Sequence, residues 1–244
     1  MDLSRIKELA GRLNLTNLAK NVSDIKGTEK EWRFLEKVLR VEQEIRDGNK
    51  EGVLIKRAKF PVIKTMEEFE LDTQEKLTKW HLTKLSETKW IEDKYNVLLI
   101  GSAGTGKTHL SIAIGLKAIG NNKKVVYTTV NELLFLIKTQ QEVKKSKIKL
   151  DYMEECDVVI IDELGYTPLS REETLTIYKK IDGLNKRKSL IIATNRNFEG
   201  WGDIFYDEQT AETLLDRVVE NCQVITLTGG SYRLRTHKGI FDVN

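Results

Sequence analysis

Gly101-Ser102-Ala103-Gly104-Thr105-Gly106-Lys107-Thr108 is a full match to the pattern G-x-x-x-x-G-K-[ST]. Its flanks matter as much as the match: the apolar run Val97 to Ile100 leads in, and a helix-forming stretch follows from about Lys107. Glycines at this spacing let the backbone curl around an anion and aim its N–H groups at it, and the positive end of the following helix favours negative charge. An ordinary glycine-rich turn needs neither the Lys-Thr pair nor a strand and helix around it. The pattern therefore implies a phosphate loop, with Lys107 reaching the β- and γ-phosphates and Thr108 ligating magnesium, so ATP and Mg2+ are the expected cofactors.

Outward from the loop, short apolar runs recur, each followed by a longer amphipathic stretch: Val97 to Ile100, Val125 to Thr128, Val158 to Ile161, Leu190 to Ala193 and Val224 to Leu227. Runs this apolar suit strands buried on both faces, which predicts an α/β fold with a parallel, doubly wound, five-stranded sheet. The third run delivers Asp162 and Glu163 at its C-terminal end, the edge where such sheets bind ligands. Asp162 is the expected magnesium partner, and Glu163 the candidate general base that polarises water. A small-molecule kinase supplies its own acceptor hydroxyl, so the second acid favours ATP hydrolysis. The fourth run leads into Asn195, whose amide is placed to hold the attacking water. Later, Arg217 is a candidate arginine finger in the amphipathic stretch Thr213 to Val219, and Arg233 a candidate nucleotide contact in cis.

Upstream, apolar and charged positions alternate at helical spacing, as in Trp32, Leu35, Val38, Leu39, Glu42 and Ile45. Lys56-Arg57-Ala58-Lys59-Phe60-Pro61 breaks that pattern, since proline cannot continue a helix, and a linker is expected there. Residues 1–60 then form a small helical domain and 61–244 the nucleotide-binding domain. With 244 residues, 32% charged and a net charge of +3, any affinity for nucleic acid must come from local patches. The two cysteines and three histidines show no metal-ligand spacing, so no zinc is expected, and a reducing cytoplasmic setting fits. Neither a signal segment nor a run long enough to span a bilayer is visible.

Taken together, Lys56 to Phe69, the phosphate loop with His109-Leu110, Ile161 to Leu169, Thr194-Asn195 with Trp201-Gly202, Leu215-Asp216-Arg217 and Gly230 to Leu234 resemble the IstB family. These are AAA+ ATPase partners of insertion-sequence transposases, related to the DnaC helicase loaders, and the resemblance covers nearly the whole chain. It implies an ATP-dependent homo-oligomer that wraps or bends duplex DNA and presents it to a cognate transposase, with the N-terminal helices joining subunits and gripping DNA. It also assigns Lys107, Thr108, Asp162, Glu163, Asn195, Arg217 and Arg233 the roles given above, and adds His109 to the nucleotide contacts. After the last strand candidate only about a dozen and a half residues remain, too few for a helical lid built of helices of about ten residues each.

For DNA, the candidates are Lys56, Arg57 and Lys59 before the domain, and Lys144, Lys145, Lys147 and Lys149 between the second and third strands. Lysine runs without a base-reading motif imply sequence-independent phosphate contacts. A helicase loader would share every nucleotide residue and differ at the N-terminal surface. A nucleotide-gated DNA scaffold with incidental hydrolysis is the reading from another class, against which Glu163 argues.

Overall fold

The computed structural model describes residues 3–235, without the side chains of Arg233 and Leu234. The chain divides into two compact units, Met1–Val53 and Leu54–Asn244.

The first unit comprises α1 (Ser4–Arg12), α2 (Thr16–Asn21) and the start of α3 (Glu29–Ala58). Thr28 and Glu31 cap α3 reciprocally: the Thr28 N–H donates to Glu31 Oε2 at 2.6 Å, and the Glu31 N–H to Thr28 Oγ1 at 3.4 Å. Trp32, Leu35 and Leu39, spaced for one helix face, pack with Ile6, Leu13 and Val22. The remaining surface is laced by Glu-to-Arg pairs four residues apart, Glu29–Arg33, Glu36–Arg40 and Glu42–Arg46, each worth about 0.3–0.5 kcal/mol.

Of the basic run expected to be a linker, Lys56, Arg57 and Ala58 form the last turn of α3, and Lys59 to Pro61 lie beyond its end. Leu54 and Ala58 are buried in the core of the second unit, and that burial sustains the helix until Lys59 leaves it in the left-handed region at φ 59°.

In the second unit, α4 (Lys79–Glu87) precedes β1 (Asn96–Ile100), α5 (Lys107–Gly120), β2 (Val125–Thr129), α6 (Val130–Thr139), α7 (Lys144–Glu155), β3 (Val158–Leu164), α8 (Arg171–Asn185), β4 (Ser189–Thr194), α9 (Glu208–Val219), β5 (Cys222–Thr226) and the short α10 (Tyr232–Arg235). The five strands are parallel throughout, in the order β2-β3-β4-β1-β5. Each strand splits its residues between two cores. Leu98, Val126, Val159, Ile161 and Ile192 join the side covered by α6 to α9. Val97, Leu99, Tyr127, Ile160 and Ile191 join the side covered by α4 and α5. That period of two, with both faces apolar, is why the strands read as continuous hydrophobic runs. β1 has β4 and β5 as neighbours, and β4 has β3 on its other side, so the loops after β1, β3 and β4 meet at one edge.

Candidate nucleotide site

Between β1 and α5 the loop takes the shape its glycines permit. Gly104 and Gly106 have φ of 80° and 99°, which side chains rarely adopt. A Cβ on Gly101 would lie 2.6 Å from the Leu227 carbonyl, and one on Gly106 3.0 Å from the Phe69 ring. The side chain of Ser231 fills the space beside Gly104, and the Tyr232 N–H donates to the Gly104 carbonyl at 3.0 Å. Lys107 folds over its own loop, its Nζ 2.8 Å from the carbonyls of Gly101 and Ser102. The ammonium is thus held at the anion site by neutral acceptors that a phosphate outcompetes through charge-assisted bonds.

The carboxylate expected to share a metal with Thr108 is already in contact with it: Thr108 Oγ1 donates to Asp162 Oδ2 at 2.6 Å. Two oxygen donors of the hard type that magnesium takes therefore converge at the start of α5. Asp162 is 2% exposed and is held twice more, by the Tyr127 hydroxyl at 2.9 Å on Oδ2 and by the Glu163 N–H at 2.7 Å on Oδ1. Burial and the Asp162 charge push the Tyr127 phenol far above its ordinary pKa, so it remains a donor.

Glu163 sits at φ 62°, where the pairing of β3 with β4 slips between Ile161 and Leu164. A bulge re-aims a side chain that regular alternation would direct into the core; Glu163 is exposed while Asp162 and Leu164 on either side are buried. A left-handed non-glycine residue costs on the order of 1 to 3 kcal/mol, and here it lies on the bulge beside Asp162 rather than at a helix end as at Lys59.

Asn195 follows β4 and is exposed, lining a cleft shared with Gly101, Ser102 and Arg196. It therefore stands beside the phosphate loop. On the other side of the loop, a pocket is lined by Phe69, Gln74, His109, Tyr232 and Arg235 together with Gly104 to Thr108. His109 Nε2 lies 2.8 Å from the Thr65 carbonyl, so that nitrogen carries the proton, and its ring meets Phe69 edge-on at 5.4 Å. Arg233 belongs to α10 beside this pocket, but its side chain lies outside the described ones.

Arg217 is not brought to this site. It lies late in α9, where Val218 O accepts from Asn96 Nδ2 at 2.9 Å; Asn96 is the first residue of β1, and the phosphate loop leaves its last. At a rise of about 3.3 Å per residue, that places the Arg217 backbone more than ~10 Å away, at the opposite sheet edge. Its guanidinium pairs with Asp182 at 2.6 Å and lies over the Tyr178 ring.

Of the basic candidates, Lys56, Arg57, Lys59, Lys144, Lys145 and Lys147 are exposed. Lys149 is different, 13% exposed and paired with Glu132 at 2.7 Å. Arg57 lies over the ring of Tyr152 on α7, 5.6 Å from its centroid, and Lys145 is two turns up the same helix face, so the two patches share one surface.

Sequence reasoning missed Tyr127 and the pocket residues Phe69 and Gln74. The signal for Tyr127 was its parity: with Tyr127 opposite Ile160 and Thr129 opposite Asp162, tyrosine and aspartate are diagonal neighbours on one face.

The family model of the IstB-like ATP binding protein matches residues 8–239. The insertion sequence IS5376 putative ATP-binding protein of Geobacillus stearothermophilus is 31% identical over 240 residues, covering 95% of this chain and 94% of the relative. The corresponding IS21 putative ATP-binding protein of Pseudomonas aeruginosa is 28% identical over 238 residues, covering 96% and 90%. Among solved structures, that of DnaI superposes with a TM-score of 0.53 at 21% identity, covering 70% of this chain and 90% of that one. The fold is that of the AAA+ P-loop proteins. Among the described residues, no helix is long and apolar enough to cross a membrane.

Proposed function

Because the chain belongs to the family of IstB-like ATP-binding proteins, we propose that it hydrolyses ATP as a homo-oligomer on duplex DNA and presents that DNA to an insertion-sequence transposase. The names of its relatives supply the insertion-sequence setting. Two free cysteines, Cys156 and Cys222, suit a cytoplasmic setting.

The single observation that carries the hydrolytic reading is the 2.6 Å bond between Thr108 and Asp162, with Glu163 turned outward next to it. In this reading the loop amides and Lys107 hold the phosphates. Thr108 and Asp162 would hold magnesium, which would neutralise phosphate charge there. Glu163 takes a proton from the attacking water, and Asn195 orients that water from the adjacent strand end. Arg217 serves the site of a neighbouring subunit. The N-terminal unit joins subunits, and the surface of Arg57, Lys145 and their exposed neighbours contacts DNA phosphates.

ATP binding and turnover of two variants test the site. Lys107→Ala is expected to lose nucleotide binding, whereas Glu163→Gln keeps it and loses about 10²- to 10⁴-fold in turnover. Equal loss of ATP affinity in both contradicts these roles. Capture of a replicative helicase in place of a transposase would move the protein to the helicase loaders.

A further inference from the structure

Of the groups touching Asp162, one is not part of the phosphate loop or of the acid pair. Tyr127 comes from β2, separated from β1 by β3 and β4 in the sheet order, and is 6% exposed. Its hydroxyl meets Asp162 Oδ2, the same oxygen that accepts from Thr108. The ring is fixed from behind, where Phe60 meets it edge-on at 6.5 Å and itself packs against Gly115 of α5, leaving no room for a Cβ. A phenol anchored in a core has one direction in which to donate.

We propose that Tyr127 is a positioning residue that keeps the Asp162 carboxylate aimed at the metal it would share with Thr108. The inference rests on the reading that ATP binds here with magnesium. Asp162 Oδ2 is shared between the Thr108 and Tyr127 hydroxyls. A metal would take a Thr108 lone pair and leave its O–H able to donate to Asp162, while Tyr127 and the Glu163 N–H hold the carboxylate from the protein side. Partners of this outer kind fix ligand geometry, and losing one typically costs about 10- to 100-fold in metal affinity. Tyr127→Phe deletes the donor and keeps the ring against Phe60, so the effect belongs to the metal and not to the phosphate cradle.

The test is binding of a fluorescent ATP analogue to the full chain, first in EDTA and then across a magnesium titration. For Tyr127→Phe we expect an EDTA affinity equal to that of the unaltered protein and a half-saturating magnesium concentration about tenfold higher or more. Replacing Tyr127 by 4-aminophenylalanine, which keeps an N–H donor on the ring, is expected to restore the magnesium response, and does so only if donation is what matters. An unchanged magnesium midpoint in Tyr127→Phe overturns the inference, as does a raised midpoint that the amino analogue leaves raised. If the unaltered protein itself shows no magnesium response, the nucleotide reading fails and this inference with it, an outcome distinct from identical curves for the two proteins.

Discussion

The two edges of the sheet are built on opposite plans. At the C-terminal edge, residues distant in the chain have found each other: Thr108, Tyr127 and Asp162 are bonded, and Glu163 and Asn195 stand exposed beside them. At the N-terminal edge, Arg217 is satisfied by a structural partner, Asp182, whose carboxyl is held below the usual range by Lys186 first and Arg217 second. One edge gathers the candidate nucleotide groups, and the other holds a cation paired with a structural carboxylate. In the proposed assembly, a residue so far from the phosphates of its own chain would act on catalysis through a neighbouring chain.

The largest effect that would break this contrast is that of Arg217→Ala. A guanidinium neutralising charge on the transferred phosphoryl group is worth on the order of 10³ to 10⁵ in rate, while an exposed ion pair contributes at most about 1 kcal/mol of stability. We therefore expect Arg217→Ala to lose turnover by about three orders of magnitude with nearly unchanged thermal stability, read by steady-state ATPase and calorimetry. A variant that unfolds early and turns over normally would reduce Arg217 to a structural cation.

The same distinction between free and paired cations predicts a smaller effect on the basic surface. Lys145 is exposed and Lys149 is paired with Glu132, so Lys145→Ala should lower the salt dependence of DNA binding by about one counterion and Lys149→Ala by much less. Equal slopes for the two variants would remove Lys145 from the interface. Binding is expected to be nearly indifferent to DNA sequence, since phosphate contacts carry none of it.

Much of the working edge was legible in the chain, because its chemistry depends on short-range spacing. The phosphate loop needs its glycines in order, and a buried parallel strand needs an unbroken apolar run before Asp162. What escaped depends on register and packing. Tyr127 reads as one more buried strand residue until β2 is set beside β3. Asp182, the partner of Arg217, lies 35 residues away from it on another helix. Pro61 was visible as a helix breaker, whereas the burial of Leu54 and Ala58 that carries α3 to Ala58 was not.

The smallest expected effect concerns stability. The carboxyl of Glu173 is lowered to about 2 by Lys138, with the Ser170 cap adding to it. A depressed folded pKa contributes stability that is present above the unfolded value near 4.5 and lost as pH falls toward about 2. Melting curves of Glu173→Gln and the unaltered protein should differ at neutral pH and converge across that window. A gap that persists at pH 2 would mean the carboxylate charge is not its source.

The division of labour between the two edges is tested most directly by mixing two inactive proteins, Arg217→Ala and Lys107→Ala. In a mixed assembly, an intact Arg217 on one subunit faces an intact phosphate loop on the next. Recovery of ATPase activity upon mixing is the expected result. Absence of recovery, with co-assembly verified, would contradict action across the boundary and confine Arg217 to its own chain.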